Sequence, residues 1–327
     1  MGAAHALIRR TFDIVSADDL TMLSMTFAES PEIEALLKRI IENGPERRLH
    51  KPCKQVLVAL RRLLEEFPNF REVTTNLIGS YKISLIGGTA LQLPVINLQG
   101  PPGVGKTTYV KAIANALGQP FHDLKVSQMM ERFELAGMSR GWKNATVGKI
   151  AKILLIDEAQ EGQPVVLYDE LCMARDTEES SVIHPLYTVF DRDSGEQFRD
   201  LFLDMPINTR YLIAFTTTNN IEKLRPALRS RLVSYNIEAP NNSEMCAVAQ
   251  KLYRQLLERF NLERRFPERL SVPVLQKLTQ GSIRDMKLKL DQAITRSVGE
   301  SRDNVMFQLG PEHIPGSEES KRSIGFL

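Results

Sequence analysis

PVINLQGPPGVGKTTYVKAIANALGQP, Pro94 to Pro120, reads as an apolar strand, a glycine loop and a helix closed by Gly118 and Pro120. Its centre, GPPGVGKT, fits the spacing G-x-x-x-x-G-K-[ST], and the strand-to-helix switch around it is the context that the motif requires. The residues are Gly100, Pro101, Pro102, Gly103, Val104, Gly105, Lys106 and Thr107, with Thr108 next in the helix. Glycines let the backbone curl so that successive N–H groups face a phosphate chain, and the helix N-terminus adds partial positive charge. Lys106 is then placed for the β- and γ-phosphates, and the Thr107 hydroxyl for the Mg²⁺ shell. The expected ligand is ATP or GTP with Mg²⁺.

Such a site also needs an acidic strand end, expected beside the strand that leads into the phosphate loop. ILLIDEAQEGQPVVLYDEL, Ile153 to Leu171, offers two, because ILLIDE and VVLYDE each end an apolar run in Asp-Glu. The first can also be read as part of one helix, with Val147, Ile150, Ala151, Leu154 and Leu155 on a common face. Making it a strand leaves too short a segment after Gly148 for a covering helix. Gln163-Pro164 forces an extended start to VVLYDE, and Val, Val, Leu and Tyr suit a parallel strand buried on both faces. A hairpin of both segments stays open at this point. With VVLYDE as the acidic strand, Asp169 orients Mg²⁺ and its waters, and Glu170 polarises the attacking water. Asp157 and Glu158 then lie on the exposed side of a helix.

Around this centre the chain divides by pattern. Residues 1–70 read as helical: SPEIEALLKRIIENG has Ser30 as N-cap, Pro31 in the first turn and Gly44 as stop, and a second helix runs from Pro52 to Phe67. Residues 71–238 alternate short apolar strands (FHDLKV, VVLYDE, RYLIAFTTT) with helices. That alternation implies an α/β domain, a parallel sheet flanked by helices. Residues 239–308 read as a small helical domain, and residues 309–327 as a polar, flexible tail.

Composition is that of an ordinary soluble chain: 43% hydrophobic, 25% charged and formal net charge +2 over 327 residues. No apolar run approaches a membrane span, and no secretory leader is evident at the N-terminus. Cys53, Cys172 and Cys246 are isolated, which suits a reducing compartment, expected to be the cytoplasm, and excludes a zinc or disulfide framework. Between Ala35 and Arg62 stand eight Lys/Arg against two Asp/Glu. This run is either a solvated helix face or a nucleic-acid footprint.

From about residue 95 to 298 the chain resembles the ATPase module of Lon-type AAA+ proteins. ELAGMSRGWKNATVGKI, Glu134 to Ile150, is similar to the family's E-[IL]-x-G-x-x-R-x-Y-[VI]-G-x-x-P-G-[KR]-[IL], and QPVVLYDE to its acidic strand N-P-L-[FV]-L-L-D-E. VFDRDSGEQFRDLFLDMP matches L-D-P-x-x-x-x-x-F-x-D-x-Y-L-x-V-P at Asp191, Phe198, Asp200, Leu203 and Pro206. The resemblance favours the second Asp-Glu independently of the strand argument, and adenine over guanine. It implies a polar sensor at a strand end, Asn219 with Asn220 open in register, and an arginine that reaches into a neighbouring subunit, Arg231 ahead of Arg229. It also implies a lid arginine, Arg284, which the capping-box spacing Ser282 to Asp285 places in a helix's first turn. The family's pore-loop tyrosine corresponds here to Trp142, the single Trp, in GWKN. About thirty residues follow the lid helix, too few for the family's Ser–Lys peptidase domain.

Two functions are therefore expected to compete. One is a homo-oligomeric ring, hexameric as is usual in the family, that threads or remodels a protein client. The other is a nucleic-acid-associated AAA+ switch, supported by Arg47–Arg48 and Arg61–Arg62 alone. The final Ile-Gly-Phe-Leu is either an ordinary chain end or a segment that docks a separate partner.

Overall fold

The computed structural model describes residues 11–26, 30–158, 160–177, 181–191, 193–300 and 306–315. The chain forms two compact units, one of residues 1–100 with 106–237, the other of residues 101–105 with 238–327. Nine strands occur among the described residues. In chain order they are β1 (Thr11–Asp13), β2 (Glu46–Arg48), β3 (Val95–Gln99), β4 (Phe121–Lys125), β5 (Val165–Asp169), β6 (Phe198–Asp200), β7 (Met205–Ile207), β8 (Ile213–Thr218) and β9 (Leu232–Asn236).

Five of these make the central sheet of the first unit, in the order β4-β5-β8-β3-β9, every pair parallel. This is the α/β arrangement expected from the alternation of strands and helices. β5 and β8 are buried along their whole length, which explains their unbroken apolar and threonine composition. Burying Val165, Val166 and Leu167 contributes about 1.5–3 kcal/mol each. One expectation is corrected here: the acidic strand does not adjoin β3, because β8 lies between them. The insertion puts the end of β8, with Thr217 and Asn219, between the phosphate-loop strand and the acidic one.

ILLIDE is helical. A helix over Lys149–Lys152 continues as a π-helical turn through Ile153–Asp157, shorter than the single helix expected from the sequence, with Val147 buried just before it. Three side chains of the N-terminal segment satisfy the carbonyls at its end. Arg39 Nη2 donates to Ile156 O at 3.2 Å, Asn43 Nδ2 to Leu155 O at 2.8 Å and Arg47 Nε to Leu154 O at 3.0 Å. Carbonyls at a helix end need such partners, so the first seventy residues complete the α/β unit instead of forming a helical domain of their own. They also contain the β1–β2 hairpin. Helix Lys54–Glu66 packs against helix Lys106–Leu117, which follows the phosphate loop. Arg47, 1% exposed, is part of this core, and half of the proposed Arg47–Arg48 footprint is thereby unavailable to an outside ligand.

In the second unit, helices Asn242–Phe260, Val272–Leu278 and Ile283–Glu300 share one apolar core. Asn241 and Glu244 form a capping box at the start of the first. Leu309 and Ile314 are buried in the same core, so packing continues past residue 308, where the sequence places the start of a tail. The final Ile-Gly-Phe-Leu lies outside the described residues.

Candidate active site

The site grows from the carboxyl ends of the parallel strands, where open α/β sheets bind ligands. β3 ends at Gln99, and the Gly100 N–H donates to Thr218 O at 3.0 Å, tying the start of the phosphate loop to the end of β8. Gly103 and Gly105 have φ of +81° and +97°, backbone conformations that only glycine adopts without strain. Lys106 and Thr107 open the helix Lys106–Leu117, with both side chains half-buried and Thr108 exposed. Lys106 Nζ donates to Gly100 O at 2.5 Å and to Asn219 Oδ1 at 3.1 Å. Burial lowers its pKa, while the charges of Asp169, Cys172 and Glu170 oppose the shift.

Asp169 closes β5 and is largely buried. Its Oδ1 accepts from Thr217 Oγ1 at 2.6 Å and its Oδ2 from Lys125 Nζ at 2.5 Å. Glu170 follows in a left-handed conformation, φ 56°, which costs a non-glycine residue about 1 kcal/mol. Its N–H donates to Thr217 Oγ1 at 2.7 Å, so one hydroxyl holds both Asp169 and the strained peptide after it. The Glu170 carboxylate accepts from Ser127 Oγ at 2.9 Å. The two asparagines separate cleanly: Asn219 meets Lys106, while Asn220 caps a short 3₁₀ turn through the N–H of Glu222.

ILLIDE contributes nothing to this cluster. Asp157 is exposed, and Glu158 accepts from His122 Nε2 at 2.9 Å. Among the described residues, no group of three or more His, Cys, Asp or Glu side chains could hold a metal unaided. A lone carboxylate with a hydroxyl suits Mg²⁺, which keeps waters and takes its remaining oxygens from phosphates. The residues therefore fit a Mg²⁺-nucleotide.

Residues 96–239 match the family described as "ATPase family associated with various cellular activities (AAA)". The chain contains an AAA+ P-loop ATPase domain. That domain is Lon-like. It is 25% identical over 228 residues to the Lon protease of Fusobacterium nucleatum, an alignment covering 67% of this chain and 29% of that protein. It is 27% identical over 231 residues to the mitochondrial Lon protease homolog of Phaeodactylum tricornutum, covering 70% and 25%. The chain thus spans under a third of the length of these relatives. Its fold is also similar to that of Hsp104, solved by cryo-electron microscopy in a closed state with ATPγS and FITC-casein. The TM-score is 0.63 at 14% identity, over 80% of this chain and 52% of that one.

Three further residues lie away from the phosphate-loop end of the sheet. Arg231 immediately precedes β9, and β9 runs parallel to β3 with Leu232 opposite Val95 and Asn236 opposite Gln99. The strand's five residues, rising ~3.3 Å each, thus separate Arg231 from the end of β3 where Lys106 follows. The guanidinium donates to Tyr187 O at 3.2 Å, Ala227 O at 2.7 Å and Asp191 Oδ2 at 3.3 Å, and lies over the Tyr187 ring. Arg229 pairs with Glu222. Arg284 sits in the first turn of helix Ile283–Glu300 in the second unit, behind the expected cap: the Asp285 N–H donates to Ser282 Oγ, and the Ser282 N–H to Asp285 Oδ2.

Trp142 is 70% exposed in a loop closed at its base by Met138 N–H donating to Thr146 O at 2.9 Å. Buried Asp200 anchors that base by accepting from the N–H groups of Gly148, Phe202 and Leu203. Gly148 is required there, since a Cβ would stand 2.4 Å from Leu135 O.

Sequence reasoning missed Thr217, Lys125, Ser127 and Cys172. Only Thr217 left a signal, as the middle residue of a buried threonine run ahead of the sensor asparagine.

Proposed function

We propose that the chain is the motor of a homo-oligomeric ring that couples ATP hydrolysis to threading or remodelling a protein client. The observation that carries this reading is the position of Arg231. An arginine a full strand length from its own phosphate-loop end serves hydrolysis only at the site of a neighbouring copy, and a head-to-tail ring supplies such a neighbour to every site.

Within one site, the loop amides and Lys106 bind the phosphates, while Thr107 and Asp169 are placed to hold the metal's oxygen shell. The Mg²⁺, when bound, neutralises charge that develops on the β- and γ-phosphate oxygens. Glu170 is placed to orient and polarise the attacking water, and Asn219 to hold it from the side of β8. Arg231 of the next copy stabilises transition-state charge, and Arg284 contacts nucleotide from the helical lid. Trp142 grips the client at the pore. Its exposed ring, with no packing role to explain it, supports that assignment.

The competing nucleic-acid role loses support because Arg47 is buried. Arg231→Ala should leave nucleotide binding intact and lower turnover by about 10³-fold or more. Trp142→Ala should keep ATPase activity and thermal stability but abolish unfolding of a tagged fluorescent client. An ATPase rate independent of protein concentration and unchanged by Arg231→Ala would reject the ring.

A further inference from the structure

The register of the sheet places a second cation at the metal-orienting carboxylate. β4 and β5 pair in parallel with Lys125 opposite Asp169, so the two side chains leave the sheet on the same face. Lys125 Nζ lies 2.5 Å from Asp169 Oδ2 and 2.9 Å from Asp123 Oδ2. Asp123 is two residues back along β4, hence also on that face. The ammonium therefore rests between two acceptors, one at the strand end and one displaced towards the middle of β4.

The partner's identity matters because Asp169 is mostly buried. A buried carboxylate without a partner is costly, and Lys125 neutralises it when no metal is present. Lys106 does not fill this role through a printed hydrogen bond, since its ammonium is directed to Gly100 O and Asn219 Oδ1. The oxygen that Lys125 occupies belongs to the same carboxylate that Mg²⁺ and its waters require. Both cations cannot take Oδ2 at hydrogen-bonding distance.

We propose that Lys125 is a displaceable counter-cation of Asp169, released to Asp123 when a Mg²⁺-nucleotide binds, and that it sets the Mg²⁺ concentration at which the site loads. Asp123 makes the exchange cheap, because the ammonium keeps a partner after leaving Asp169. Lys125 acts through Asp169 and is thus a positioning residue. The proposal rests on Asp169 being the residue that orients the metal.

The test is a Mg²⁺ titration of binding of a mant-labelled, non-hydrolysable ATP analogue to the full chain, followed by fluorescence. Lys125→Met keeps the length of the side chain and removes the charge. It should lower the Mg²⁺ concentration for half-saturation by about fivefold, the scale of a partly exposed ion pair. Lys125→Arg should stay near the parent value, and Asp123→Asn should raise it. The half-exposed position of Lys125 lets the Met variant fold, which a thermal melt without nucleotide verifies. An unchanged midpoint in Lys125→Met, with Asp169→Asn still weakening the Mg²⁺ dependence, would overturn the role of Lys125 alone. An unaltered Mg²⁺ dependence in Asp169→Asn would instead remove the metal assignment, and the proposal with it.

Discussion

Two Asp-Glu pairs twelve residues apart in one chain meet different fates because of what surrounds each carboxylate. Glu158 is held by His122 at the end of a helix, whereas Glu170 stands at a strand end beside Ser127, Thr217 and Asp169. Turnover should therefore fall by about 10²–10⁴-fold in Glu170→Gln with nucleotide binding retained. In Glu158→Gln it should stay within twofold, because only a surface ion pair is lost. Steady-state ATPase assays on both variants check this, and a large loss in the second would contradict the strand assignment. Thr217 is the residue that makes the acidic pair a unit. Its hydroxyl donates to Asp169 and accepts from the Glu170 amide, so it fixes the carboxylate and the left-handed turn together.

At the level of elements, the loop that presents Trp142 depends on a carboxylate with little access to water. Burial pushes the Asp200 carboxyl up to about 6, only partly opposed by its three backbone donors and Arg140. In an unfolded chain an aspartate titrates near 3.9. The folded state therefore binds this proton more readily, and the stability it contributes is full below about pH 4 and lost as pH rises through 6. A shift of that size corresponds to about 3 kcal/mol. Urea unfolding of the parent minus that of Asp200→Asn should thus become less favourable by roughly that amount between pH 4 and 7. A constant difference across the range would show that Asp200 titrates normally.

The same elements show what the sequence could and could not reveal. The phosphate loop, β5 and the capped helices were legible because glycine spacing, apolar runs and Ser or Asn caps act locally. The position of β8 between β3 and β5 was not, since strand order depends on pairings more than a hundred residues apart. Nor was Lys125, whose contact with Asp169 exists only through sheet register. The basic run from residue 35 to 62 misled for a similar reason. Arg39 and Arg47 spend their donors on carbonyls of a helix that begins at Lys149, and no local pattern announces that.

On the scale of the whole molecule, the phosphate-binding and acidic residues lie at one end of the parallel sheet and Arg231 at the other. A chain built this way carries half of each of two sites. Arg231 is already ordered by Tyr187, Ala227 and Asp191, so little freedom is lost when a neighbour's nucleotide meets it. No helix among the described residues is long and apolar enough to cross a membrane.

The central claim is that each hydrolysis site is shared, and mixing two inactive variants tests it. Arg231→Ala keeps Glu170 but offers its neighbour no arginine, while Glu170→Gln keeps the arginine but cannot activate water. Each alone should be nearly inactive. Co-assembled in equal amounts, they should regain about a quarter of the parent ATPase rate, the share of interfaces that pair an intact Glu170 with an intact Arg231 in a head-to-tail ring. A mixture no more active than the two variants measured separately would contradict the shared site.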